Sequence, residues 1–288
     1  MSSRTGAAAV SGRAALLHRA RTAVLPYARL TAAGFRQQST YLAAAAAGVF
    51  TNTVFGFVKM AILLATLAGA GGAAGGYTPE LMVSYIFLSQ GMLTAIGAFG
   101  GDGALGERIR TGDVAVDFLR PLDVQFAALA TVIGGAVYSL IPRALPLAVI
   151  GAATSMMAWA SEPAAYPLAA VSVLLSIVLG QGLLYCVQVL GFWVVDTRGI
   201  LMFYVVVGTF LMGMFVPVGL FPGWLERIAE LTPFAWVIMP PCDILSGRID
   251  AAHGATTVAI QAAWVVAVIA LGHILTRLGR RRLEVQGG

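Results

Sequence analysis

From Leu168 to Val195 the chain carries no charged side chain, and this stretch is one of several long apolar runs. The others fall near Tyr41–Ala68, Leu81–Gly101, Gln125–Trp159, Gly199–Val216 and Thr256–Thr276. A helix needs about 20 apolar residues to cross a hydrocarbon core of about 30 Å, so each run matches the length of a membrane span. The overall composition agrees: 59% of residues are hydrophobic and 11% charged, with a mean hydropathy of +0.85. A transmembrane barrel would need short segments of alternating polarity, and these runs are continuous. The expected fold class is an all-α membrane protein with six transmembrane helices in a single domain over 41–282, with a short tail at 283–288.

The N-terminal region reads differently. Met1–Gly12 is small and polar and is expected to be a disordered tail. No apolar core follows Arg4, so it does not read as a signal peptide. Residues 13–38 carry Arg13, Arg19, Arg21, Arg29 and Arg36 and no acid. At helical spacing His18, Arg21, Arg29 and Arg36 share one side, while Leu16, Ala20, Val24, Tyr27 and Leu30 share the other. This predicts a basic amphipathic interface helix on the inner membrane surface, kinked at Pro26. A solvated tail that merely supplies topology charge is the alternative.

Inside the spans, Asn52 and Lys59 sit in the first run, and a lysine there must face protein or water. The run from Gln125 to Trp159 is too long for one upright span and holds Pro142, Arg143 and Pro146 in its middle. Either it tilts and bends at the prolines with Arg143 held by a partner, or Gln125–Ile141 is a shallow inner segment preceding the true crossing. Between the fifth and sixth spans, Gly219–Gly254 reads as a turn, a short amphipathic helix, a break at Pro233, an aromatic piece and a break at Pro240–Pro241. These are expected to be re-entrant outer helices, with Trp224, Phe234 and Trp236 at headgroup level.

Charge sorts the loops. Arginines gather in the N-terminal region, in the loop after span two, at Arg198, and at Arg277, Arg280, Arg281 and Arg282. The opposite side holds only Arg227 and Arg248, with Glu80, Glu162, Glu226, Glu230, Asp243 and Asp250. The positive-inside rule then puts both termini in the cytoplasm of a multi-pass cell-membrane protein. The net charge of +5 is thus a topology signal, and no nucleic-acid partner is expected.

The loop after span two, Gly106–Asp123, is an island of charge. It contains its own short helix, which Thr111 or Asp113 can cap and Pro121 stops. Val114, Phe118 and Leu119 form an apolar stripe, and Asp117 and Arg120 lie at i,i+3 on the polar side.

Catalytic signatures are missing. GGDGALGE lacks the lysine and hydroxyl residue of a phosphate loop. No His/Cys pattern suits a metal, and Cys186 and Cys242 read as small apolar fillers. No acid sits inside a predicted span, which argues against a secondary ion-coupled carrier or channel. The driving energy is expected to come from elsewhere.

Three stretches resemble the membrane subunit of ABC-2 type permeases, the type-2 ABC exporters, and more narrowly the bacterial six-span branch with a separate ATPase. They are RTGDVAVDFLRPLD, GFWVVDTRG, and VPVGLFPGWLERIAELTPFAWVIMPPCDILSG. The resemblance implies a dimer of permeases, identical or different, in membrane lipid over two ABC ATPase subunits. ATP and Mg would be bound by that partner, with no cofactor in this chain and no enzyme activity of its own. It implies a cytoplasmic coupling helix between spans two and three, carried by Arg108, Arg110, Asp113, Val114, Asp117, Phe118, Leu119 and Arg120. It also implies a pathway for an amphipathic or hydrophobic compound, as in multidrug efflux, lined by Asn52, Phe55, Met202, Phe210 and Met214.

Overall fold

The computed structural model describes residues 24–40, 42–101, 103–154, 156–194 and 196–286. The expected tail at 1–12 and the first part of the interface helix, with Arg13, His18, Arg19 and Arg21, lie outside the described residues. Among the described residues the chain is helical, with one isolated bridge between Ala74 and Tyr77 and no strand.

Helix α1 covers 24–39 and α2 Leu42–Gly69. Helix α3 is Pro79–Met92, α4 Ala104–Thr111, α5 Val114–Phe118 and α6 Val124–Ser139. A π turn at Leu140–Ala144 leads into α7, Leu145–Ala153. Helix α8 is Ala165–Val189, α9 Arg198–Leu211, α10 Gly223–Glu230, α11 Ala235–Ser246 and α12 Ala251–Gln286.

Four of these elements are long and apolar enough to cross a membrane: Ala43–Gly69, Val124–Ala153, Ala165–Phe192 and Ala251–Leu283. The pair α10 and α11, bent by 98°, makes a fifth if it is one broken span. The expected spans at 81–101 and 199–216 are met instead by helices of 14 residues each. At about 1.5 Å per residue such a helix rises about 21 Å. Helix α3 stops because the chain turns in a buried stretch after it, with Gly97, Gly100 and Gly101 at φ of 68°, 89° and 62°. A side chain is disfavoured at those angles, so these glycines end the helix where a hydropathy profile runs on. Gln181 of α8 donates to the Ala95 carbonyl at 3.0 Å, covering a backbone group that the break exposes.

The long third run is one bent rod. Pro142 cannot donate a helical hydrogen bond, and the wider π turn around it absorbs the loss without ending the helix. Arg143 projects from this turn, donates to the Thr94 hydroxyl and lies against Gly48 of α2. This is the first of the two arrangements that the sequence allowed.

Helix α11 corrects another expectation, because Pro240 and Pro241 lie inside it and do not break it. Pro240 leaves the Trp236 carbonyl without its helical donor. Gln261 of α12 supplies the missing hydrogen bond at 2.9 Å. The same amide donates to the Ser176 hydroxyl at 2.9 Å and accepts from the Ser172 hydroxyl at 2.8 Å. One buried glutamine thus stitches α8, α11 and α12, the three elements packed most extensively together.

Helix α1 packs directly on α6. A Cβ on Gly34 would overlap the Thr131 carbonyl, and one on Gly134 would overlap the Thr31 carbonyl. The two glycines form a reciprocal notch that lets the backbones touch, as small residues do between membrane helices. Tyr27 and Leu30 face the protein, whereas Arg29 and Arg36 are exposed as the amphipathic pattern predicts. Val24, expected on the packed side, is exposed. Pro26 sits in the first turn of the described helix.

Candidate functional site

The charged island folds as two helices, α4 and α5, joined at Gly112. Neither Thr111 nor Asp113 caps α5 through its side chain. The Thr111 hydroxyl instead donates to the Asp113 carboxylate at 2.8 Å, because α4 already claims Thr111 as its last residue. Asp117 is the hub. Arg108 donates to it from Nε at 2.9 Å, and Arg120 reaches it at 3.5 Å. Arg108 also donates to the Asp113 carbonyl at 3.3 Å, tying α4 to α5. Arg110 turns away from the hub and donates to Glu107 at 2.9 Å. That hydrogen bond holds the Glu107 carboxyl below the ordinary carboxylate range.

The island is anchored on the ends of α8 and α12. The Gly106 N–H donates to Gln188 at 3.2 Å, and Ile109 is buried against Gly191. Phe118 lies 6.3 Å from Phe192, and the Arg280 guanidinium stands 5.5 Å over the Phe118 ring. Phe192 in turn fills the space where Gly279 has no Cβ. Two of the stretches singled out in the sequence, RTGDVAVDFLRPLD and GFWVVDTRG, therefore meet in space.

This packing splits the apolar stripe. Val114 is 0% exposed and Phe118 half-buried, both spent on holding the island to the body. Leu119 is 85% exposed, and Val116, outside the expected stripe, is 53% exposed. Asp113, Arg110 and Arg120 are also exposed, while Asp117 is only 18% exposed.

The five residues expected along the pathway lie on α2, on α9 and just after α9. Asn52 donates to the Gln90 carbonyl at 3.2 Å, tying α2 to α3. Phe55 and Met202 are exposed on α2 and α9. Phe210 stacks on Phe221 at 5.0 Å between ring centres. Met214 is buried, and its carbonyl accepts from Lys59, whose ammonium also lies 5.7 Å from the centre of the Phe215 ring. The first-span lysine therefore faces protein.

Two features escaped the sequence reading. Asp243, counted there as an outer-loop acid, is buried on α11 and takes two hydrogen bonds from Arg248 at 2.7 and 2.8 Å and one from the Tyr77 hydroxyl at 3.2 Å. Gly247, at φ 75°, ends α11 and turns Arg248 back onto its acid. The C-D-I-L-S-G-R order, an acid and an arginine straddling a helix-ending glycine, was the available signal. The buried glutamines Gln125, Gln181 and Gln261 were the second; each interrupts an apolar run and each donates to a backbone carbonyl. Among the described residues no group of His, Cys, Asp and Glu could hold a metal ion.

Apolar helices of spanning length, a charged island docked on their ends and buried polar stitches between them define a multi-pass helical membrane protein. The family model of the ABC-2 family transporter protein matches residues 52–287, and the chain belongs to that family. It is therefore the membrane subunit of an ABC transporter, a family that works with an ATP-binding partner subunit. No curated protein and no solved structure matches the chain.

Proposed function

We propose that this chain is the permease of an ATP-driven exporter in the cell membrane, moving an amphipathic or hydrophobic compound such as a drug, an antibiotic or a lipid-like molecule. The observation that carries this reading is the island. It is anchored to α8 and α12 by Phe118, Ile109 and Gly106, yet offers Leu119 and Val116 outward. A rigid base with an exposed apolar tip suits a coupling contact that receives work from a partner. The sequence carries no phosphate loop, which supports ATP hydrolysis by a partner.

In this reading two ATPase copies dock beneath the islands of two permeases, and both termini are cytoplasmic. The segment from α3 through its glycine turn, and that from α9 to Pro217, complete the six crossings. The pathway forms where the exposed faces of α2 and α9, with Phe55 and Met202, meet the second permease. The test is co-purification. The chain alone should hydrolyse no ATP and, expressed with its ATPase, should retain it. Leu119→Asp should lose the ATPase and transport while keeping the wild-type melting temperature. ATP hydrolysis by the isolated chain, or full transport by Leu119→Asp, would overturn the proposal.

A further inference from the structure

A cavity of about 670 Å³ lies between α1, α4, α6 and α8. That size falls within the range of about 300–1,000 Å³ usual for small-ligand sites. Gln181, Leu184, Tyr185 and Gln188 of α8 all line it. Gln188 accepts from the Gly106 N–H of α4, the helix that carries Arg108, and Gln181 donates to the Ala95 carbonyl, next in the chain to Thr94; all four side chains, with Arg120, line the cavity. Seven helical residues separate the two glutamines, a rise of about 10 Å.

The two ends differ chemically. The charged lining residues are Arg108, Asp117 and Arg120, so two guanidiniums share a single carboxylate. Arg108 holds Asp117 at 2.7 Å, whereas Arg120 stands off at 3.5 Å with 63% of its side chain exposed. Arg120 therefore has donors to offer an incoming anion, and the net charge of this end is positive. The rest of the wall is mainly apolar, with Leu30 of α1, Leu129 and Val132 of α6 and Leu184 of α8, interrupted by Gln37, Gln38 and Thr131. At the far end the polar groups are engaged: Gln181 donates to the Ala95 carbonyl, and the Thr94 hydroxyl accepts from Arg143.

We infer that this cavity binds an amphipathic anion, with a phosphate or carboxylate head on Arg120 and Arg108 and an aliphatic tail along α6 and α8 toward Thr94. The island contributes the head site, and α1 covers the tail. The ligand is either a bilayer phospholipid or a free amphiphile reaching the site from the aqueous side on which the island lies. The inference stands apart from the ATP-driven reading, because its test needs only this chain.

The test is native mass spectrometry of the full chain purified in a maltoside detergent, titrated with dodecyl phosphate, inorganic phosphate or dodecyltrimethylammonium. Dodecyl phosphate should bind one per chain, at least tenfold more tightly than the other two probes. Arg120→Gln should weaken it at least tenfold. Ala128→Trp, which fills the apolar wall, should do the same with the head site intact. Arg120 is exposed and makes one long ion pair, so Arg120→Gln keeps the fold even if Ala128→Trp does not. Equal binding of dodecyl phosphate by wild type and Arg120→Gln, or equal binding of the cationic probe, would overturn the inference. Phosphatidylglycerol retained through purification by wild type and lost by Arg120→Gln assigns the site to a bilayer lipid. Dodecyl phosphate bound by a chain that retains no phosphatidylglycerol assigns it to a free amphiphile.

Discussion

Replacing Gln261 with leucine should destabilise the protein through a carbonyl on another helix. In the native structure Gln261 donates to Trp236 and Ser176, and accepts from Ser172. The serines retain local alternatives on α8. The Trp236 carbonyl has none, because its helical donor would be the N–H that Pro240 lacks. Leaving a buried carbonyl unsatisfied costs about 1–3 kcal/mol, and side-chain hydrogen bonds inside membranes average about 0.6 kcal/mol each. Gln261→Leu should therefore cost about 2–4 kcal/mol, most of it at Trp236. Pro240→Ala restores the helical donor. In that background Gln261→Leu should cost only about 1 kcal/mol, from the serine bonds alone. The assay is reversible unfolding in mixed micelles of dodecyl sulfate and dodecyl maltoside, followed by tryptophan fluorescence, for the four members of the cycle. A coupling energy of at least about 1 kcal/mol is expected. If the two substitutions add to within about 0.5 kcal/mol, the amide is not substituting for the proline's missing donor and the explanation of α11 is wrong.

Other outcomes follow from the same contacts. Gly134→Leu should push α1 off α6, destabilising by about 1–3 kcal/mol as overpacking does; accelerated proteolysis in 24–39 with α8 still protected would show it, and unchanged protection would refute the notch. Asp243→Asn leaves Arg248, with 24% of its side chain exposed, without its carboxylate and should cost about 3 kcal/mol in the same micelle assay; a near-neutral result would mean that water reaches the pair. Asp250 accepts from the His253 backbone N–H at 2.8 Å, which holds its carboxyl below the ordinary value. A depressed folded value stabilises above the unfolded one and is lost as pH falls through the folded one. The protection of amides at the start of α12, corrected for the intrinsic exchange rate at each pH, should thus fall only in acid, and a loss of protection near neutrality would contradict it.

Much of the fold was legible because hydropathy reports length well. The runs that became α2, the α6–α7 rod, α8 and α12 are uninterrupted, and the amphipathic pattern placed Arg29 and Arg36 outward and Tyr27 and Leu30 inward. The breaks were harder. Gly97, Gly100 and Gly101 read as tolerable in an apolar run, because a glycine's backbone angle is not written in its neighbours' hydropathy. Pro240 and Pro241 read as a break because the residue that rescues the helix, Gln261, lies on another element. Asp243 was misjudged for the same reason: its partner returns only after the turn at Gly247. At the island the stripe Val114–Phe118–Leu119 was found, but not its division. A helix of five residues cannot bury one face alone, so which of its apolar side chains stay outside depends on Phe192 and Arg280, brought in from elsewhere.

The contact of Phe118 with Phe192, with Phe192 seated against Gly279, has a mechanical consequence. One path from the island into the bundle runs through rings and backbone, beside the longer side chains of Gln188 and Arg280. A load applied at Leu119 is borne in compression by the ends of α8 and α12, while the open glycines at 103 and 112 are off the load path. In the proposed coupling the island would thus act as a strut rather than a tether, passing thrust as well as tension to those two helices.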